Sequence, residues 1–342
     1  MELKEMIRVL CEEKGPSGFE GKASEKAAEL LRPFVDEVQT DVMGNLIAYR
    51  RCGKENAPVV MLDAHMDEIG LMVTGYEKGF LRFQNLGGVD PRMLPALEVL
   101  VLTEPPIRGV IDSLPPHILS AEDQEKPFDA KKLCIDVGLS EDEVKTAVPL
   151  GTPAVFTTPF TELGKDQLCC KSLDDRSCAA ILIAAMEKMK EKTLSADVAV
   201  HLAVQEEVGC RGAKVGAYTI HPESAIIVDV THAHTPDASK AETMKRNGGV
   251  AIGVGPNMAR SVSDKLIALA EEKEIPYQIE VASGHSGTDA WEIQVSREGV
   301  ATGLLSLPLK YMHTPVEVID LRDAEAVVDL IAAWLETYGE VE

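Results

Sequence analysis

Apolar positions in the second half of the chain alternate between two spacings. Ser177–Lys190 repeats them at helical intervals, and Val198–Val204 is an apolar run of strand length interrupted only by His201. The same reading predicts strands at Ala225–Val230, Tyr277–Val281 and Thr302–Leu307, and helices at Val262–Lys273 and Leu321–Tyr338. At the other end, Leu3, Met6, Ile7 and Leu10 mark an amphipathic helix that stops at the breaker cluster Gly15-Pro16-Ser17-Gly18. A second helix follows from Lys22 to Leu31, then a hairpin over Val38–Arg50 turning at Gly44-Asn45. Pro58–Asp63 predicts a short buried strand with His65 just past it. Between Met72 and Gly164 helical periodicity fades. Short apolar runs (Leu97–Leu102, Ile107–Ile111, Ala154–Thr157) stand between Gly, Pro and charged residues, with one short helix around Ser140–Ala147. The pattern is that of an α/β layered fold interrupted by an inserted β-rich domain.

Length and composition narrow this picture. A chain of 342 residues allows about two domains. With 34 basic against 56 acidic residues the net charge is -22, which repels phosphate backbones and anionic lipid. Neither a nucleic-acid partner nor a membrane partner is expected. The seven cysteines are odd in number and form no C-x-x-C pair, which speaks against a disulfide framework or a structural zinc knuckle. The N-terminal helix carries no apolar signal core, and no apolar run approaches the roughly 20 residues a membrane span needs. A cytoplasmic location is the expectation.

Candidate chemistry gathers at predicted strand ends. Glu206 and Glu207 close the Val198–Val204 run, and neighbours at a strand end point in different directions. One could bind a divalent metal while the other moves a proton. His65, Asp174, Asp229 and His313 stand at comparable positions. Each alone reads equally as a packed histidine, a helix cap or a turn former. In a parallel α/β sheet, however, the carboxyl ends of strands converge on one crevice. Two histidines and three carboxylates arriving there match zinc or cobalt rather than the all-oxygen set of calcium. Asp67 is placed to accept the second ring N–H of His65 and fix its tautomer. Of the pair Asp174-Asp175, one could bridge two metals while the other caps the following helix or orients ligands.

Six segments in order carry a resemblance: His65-Met66-Asp67-Glu68-Ile69-Gly70, Leu173-Asp174-Asp175-Arg176, Glu206-Glu207-Val208-Gly209 with Arg211-Gly212-Ala213, Val228-Asp229-Val230-Thr231, Gly287-Thr288-Asp289-Ala290 and Met312-His313-Thr314-Pro315-Val316-Glu317. Together they resemble the tetrahedral-assembly metalloaminopeptidases, the glutamyl or deblocking aminopeptidase family, some of whose members are labelled cellulase M. The resemblance implies a three-layer α/β/α catalytic domain with a mixed sheet, formed by residues 1–70 and 165–342. Residues 71–164 would be an inserted β-rich dimerisation domain. It implies two divalent ions, zinc or cobalt, bridged by Asp174. His65 and Asp229 would complete one site, and Glu207 and His313 the other. Glu206 would be the general base and Asp67 the partner of His65, with a cis peptide between Asp174 and Asp175. Short peptides would be the substrates, and dimers would assemble into a dodecamer. His232 and His234 are expected to be loop residues rather than contacts to substrate or to a surplus metal, although the family often has an acidic residue near the position of His234. His117, His201, His221 and His285 match no ligand position.

Two other readings compete. A glycosidase would use two carboxylates as acid and base, but it leaves His65, Asp229 and His313 without a task, and aromatics for sugar stacking are only 4% of the chain. A non-catalytic peptide-binding scaffold would have no reason to keep a complete ligand set.

Overall fold

The computed structural model describes residues 1–113, 115–118, 120 and 130–339. Helices α1 (Leu3–Cys11) and α2 (Gly21–Leu31) lead into the hairpin β1 (Glu37–Thr40) and β2 (Leu46–Arg50), then β3 (Val59–His65). The hairpin turns where Asp41 accepts the N–H groups of Met43, Gly44 and Asn45 on one oxygen. Gly44 takes φ 103° there, a conformation open to glycine. The chain continues through β4 (Gly70–Glu77), β5 (Phe80–Leu86), β6 (Glu98–Val101), β7 (Ile107–Ile111), β8 (Cys134–Asp136), helix α3 (Glu141–Ala147) and β9 (Pro153–Phe156). It then runs through β10 (Thr161–Leu163), β11 (Gln167–Cys170), α4 (Leu173–Met189), β12 (Asp197–Ala203), α5 (Arg211–Ile220) and β13 (Ser224–His232). The last elements are β14 (Val250–Val254), α6 (Arg260–Glu272), β15 (Tyr277–Val281), α7 (Ala290–Ile293), β16 (Ala301–Lys310), β17 (Glu317–Asp320) and α8 (Leu321–Glu336).

The chain divides into two compact units. One comprises residues 1–68, 159–312 and 316–342, the other residues 69–158 and 313–315. The first is built on one mixed sheet of eleven strands, ordered β1-β2-β12-β3-β13-β16-β17-β11-β10, with β14 and β15 attached beside β16. Strands β12, β3, β13 and β16 run parallel to their neighbours in this series, as β14 does to β15, while the remaining ladders are antiparallel. Helices cover both faces, so the predicted three-layer α/β fold is the fold observed.

Strand alternation sorts the two faces. One side of β3 and β13 carries Leu62, Ala64, Ile226 and Val228, which join residues of α1, α2, α4, α6 and α8 in the larger core. The other carries Met61, Ala225 and Ile227, which pack on Ala213, Ala217 and Ile220 of α5 and Ala290 and Ile293 of α7 in a smaller core. By the same alternation Asp63, His65, His201, Asp229 and Thr231 project on the smaller-core side. Strand β16 is longer at both ends than its apolar pattern predicts.

The second unit is a closed six-stranded barrel, β4-β5-β8-β7-β6-β9. Leu71, Val73, Leu81, Val99, Val101, Ile111, Ile135 and Phe156 fill it, and Val144 of α3 plugs one side. The apolar runs at Leu97–Leu102, Ile107–Ile111 and Ala154–Thr157 become β6, β7 and β9. Strand β5, which carries Arg82, Gln84 and Asn85, has no such run.

Candidate metal centre

The site is assembled at the carboxyl ends of the parallel strands of the first unit. His65 is the last residue of β3, opposite Ala203 at the end of β12. Glu206 and Glu207 follow β12 through Gln205, which turns the chain at φ 58°. Asp229 lies near the end of β13, and Asp174 and Asp175 open α4 across a cis peptide bond, as the resemblance implies. His65, Asp174 and Glu207 each offer a ligand atom within 4.8 Å of the others, and so do His65, Asp175 and Asp229. His65 is common to both groups.

Asp67 organises this cluster more broadly than the sequence reading assigns. One carboxylate oxygen accepts the Glu206 N–H at 2.9 Å, and the other accepts the Glu207 N–H at 3.2 Å and the Ser17 hydroxyl at 2.6 Å. Its Oδ1 stands 3.4 Å from His65 Nδ1, and the ring also meets the Asp67 carbonyl at 3.2 Å. Burial works to raise its pKa, but the hydrogen bonds from His65, Ser17 and Glu206 outweigh it and hold the group ionised. Asp175 does not cap α4. It accepts the backbone N–H of His65 at 3.2 Å on Oδ2, while its Oδ1 is buried without a partner. Asp174 receives His65 Nε2 at 3.0 Å, and its own N–H goes to Glu317 at 3.0 Å.

Electrostatics here run one way. Burial pushes the pKa of Glu206, Glu207, Asp175 and Asp229 upward, and Asp174 adds repulsion on each. Burial works to lower the pKa of His65, yet the surrounding carboxylates carry it well above its ordinary range. Crowded buried carboxylates with one imidazole among them call for added positive charge. The donor set is nitrogen and oxygen, so the residues present fit a zinc- or cobalt-type ion.

Around the cluster lies a buried brace. Arg176 donates to the carbonyls of Met66, Leu10, Glu13 and Gly15 and to Glu68. Lys171 donates to Glu68 at 2.7 Å, to the Glu13 carbonyl and to Ser172. These bonds tie the loop after α1 to the segment that carries His65 and Asp67. Cys210 reaches Glu206 Oε1 at 3.1 Å, and Asp289, buried with both oxygens unpartnered, joins the two within 4.8 Å. Neither Cys210 nor Asp289 had an assigned role in the sequence reading; only the folded chain brings them to Glu206.

His313 belongs to the second unit. Its Nδ1 donates to the Gly88 carbonyl at 3.1 Å, the kind of backbone contact that orients a metal-ligating imidazole. His232 and His234 fall in neither ligand group; His234 faces Thr243 at 3.4 Å. Buried His201 pairs with Asp63 across the β12–β3 ladder.

Residues 44–330 match the model of the M42 glutamyl aminopeptidase family. The chain belongs to this family. This M42 aminopeptidase is 38% identical to the lysyl aminopeptidase of Pyrococcus furiosus over 97% of this chain and 96% of that one. It superposes on the TET1 peptidase of Pyrococcus horikoshii, which can assemble into a tetrahedron or a large octahedral shell, with TM-score 0.86 and 32% identity over 98% of this chain and 99% of that one. A Thermotoga maritima structure named endoglucanase is similar too, with TM-score 0.78 and 30% identity over 96% of both chains. As an M42 aminopeptidase the protein is a hydrolase of peptide bonds. Among its described residues no helix is long and apolar enough to cross a membrane.

Proposed function

We propose that this M42 aminopeptidase is dinuclear and removes N-terminal residues from short peptides. His65, Asp174, Glu207, Asp229 and His313 would hold two divalent ions, zinc or cobalt, with Asp174 shared between them. The observation that carries this is that four of the five proposed ligands cluster: His65 lies within ligand distance of Asp174 and Glu207 in one group and of Asp229 in another, with Glu206 outside both. A divalent ion bound there would lower the pKa of its water to about 7 and would polarise the scissile carbonyl.

The remaining work falls to the chain. Glu206 takes the proton of the attacking water and returns it to the leaving amine. Its pKa, raised first by burial, suits a group that must act as base and then as acid. Asp67 aims Glu206 and Glu207 through their two N–H groups and fixes the His65 ring. An endoglucanase reading, suggested by one relative's name, would need two carboxylates and leave the imidazoles idle.

Glu206→Gln should retain both metals by elemental analysis and lose about 10²–10⁴-fold in hydrolysis of an aminoacyl chromogenic substrate. Near-normal turnover of the metal-loaded variant would remove Glu206 from this role. Residues 71–164 are proposed as a dimerisation domain, with dimers assembling into a dodecamer, in line with the assemblies of the TET1 relative. Native mass measurement tests this, and a clean monomer contradicts it.

A further inference from the structure

One fixed carboxylate on the smaller-core face has no task in the reaction above. Glu280 sits on β15, opposite Gly253 of β14. Its side chain reaches past β14 to residues of β13 and β16. There its two oxygens are held separately: Thr231 donates to Oε1 at 2.5 Å and Ser306 to Oε2 at 2.5 Å. Ser306 is the register partner of the candidate metal ligand Asp229. Thr231 lies two residues beyond Asp229 on the same face of β13, about 6.6 Å along the strand. Glu280 is therefore pinned one side chain away from the metal centre, and all four residues belong to the first unit.

The pinning is chemically incomplete. An ionised carboxylate has about four acceptor positions, and two hydroxyls fill two of them. Among the described residues no cation pairs with Glu280. It is only partly buried, so its remaining acceptor positions can be reached from solvent. A peptide whose scissile bond lies at the metal centre has its first side chain leaving from that point. Lysine carries an ammonium on a flexible four-carbon stem, and arginine a planar fork that a carboxylate accepts at two points.

We propose that Glu280 recognises a cationic side chain on the N-terminal residue of the substrate, with Thr231 and Ser306 as the residues that position it. The proposal rests on the aminopeptidase reading above and names the substrate class of that site. Glu280 does no chemistry; it selects.

The test compares lysyl-, leucyl- and glutamyl-p-nitroanilide on the metal-loaded protein and on Glu280→Gln and Glu280→Lys. Gln keeps the hydrogen bonds to both hydroxyls and removes the charge. The wild type should favour the lysyl over the leucyl substrate in kcat/KM. Glu280→Gln should lower that ratio at least tenfold, chiefly through KM, and Glu280→Lys should raise the glutamyl rate relative to the lysyl rate. A ratio measured within one variant is unaffected by partial loss of folded protein. Equal losses on lysyl and leucyl substrates would assign Glu280 to the α-amine or to the fold and overturn the proposal. A wild type that prefers the leucyl substrate also overturns it while leaving the aminopeptidase reading intact. A wild type inactive on all three would sink both.

Discussion

The two faces of the large sheet share their strands yet solve opposite problems. On the α4 and α8 side the central strands present mostly apolar residues, among them Leu62, Ala64, Val200, Ile226 and Val228, and the helices seal them from water. On the α5 and α7 side the same strands carry Asp63, His65, His201, Asp229 and Ser306 among small residues such as Ala203 and Ala225. The difference follows from the period of two along a strand. One backbone can supply a dry core to one side and ligands to the other without either interrupting the hydrogen-bond ladders. The site therefore inherits the rigidity of a core it does not belong to.

The sharpest way to break this comparison uses one strand. Ile226 and Asp229 are three residues apart on β13 and face opposite sides. Asp229→Asn should remove a metal ligand and lower kcat/KM by more than the roughly 100-fold that an outer-sphere partner costs, with a metal count below that of the wild type. Ile226→Ala should leave the metal count unchanged and cost about 2–5 kcal/mol of stability by denaturant titration. Stability lost equally by both variants would mean the faces are not separable.

A second prediction concerns the brace that joins them. Glu68 is fully buried between Lys171 and Arg176. Burial works to raise its pKa, and the two cations outweigh burial and lower it. A depressed folded-state pKa means the carboxylate contributes stability above its ordinary value of 4.5, and the contribution is lost as the pH falls through the folded value. Glu68→Gln, which strands two buried cations, should cost about 3–5 kcal/mol at neutral pH. The gap between variant and wild type should narrow on acidification below the ordinary pKa. A gap constant from pH 7 to pH 3 would show that Glu68 contributes by shape and not by charge.

How much of this was legible before folding depended on the range of the interaction. Largely apolar runs announced β3, β12 and β13, because a buried strand needs little else. The ends of those runs announced His65, Glu206, Glu207 and Asp229, because parallel strands deliver their carboxyl ends to one place. Strand β5 was legible only as a change of texture, since a barrel wall alternates and Arg82 and Gln84 break the run. The bonds from Ser17 to Asp67 and from Ser306 to Glu280 join residues far apart in the chain, and no local pattern encodes them. Asp175 was ambiguous for another reason: an aspartate before a helix caps it in most settings, and here its carboxylate turns back to the His65 N–H.

The smallest expected effect is the most diagnostic for the site itself. Asp67 is close to Asn in shape, so Asp67→Asn should fold. An amide offers one acceptor oxygen where the carboxylate has two. It can keep the Glu206 N–H or the Glu207 N–H, but not both together with the Ser17 hydroxyl. The turn that separates base from ligand then loosens, and His65 loses a charged neighbour. Outer-sphere changes of this kind cost about 10–100-fold in metal affinity or activity. If Asp67 serves His65 alone, saturating metal should restore the rate. If it also aims Glu206, kcat should stay depressed at full metal occupancy, and a Ser17→Ala variant, which removes a single donor, should show the same defect in weaker form. Full rescue by metal would confine Asp67 to the imidazole and leave the adjacent glutamates to be aligned by β12 and α5 alone.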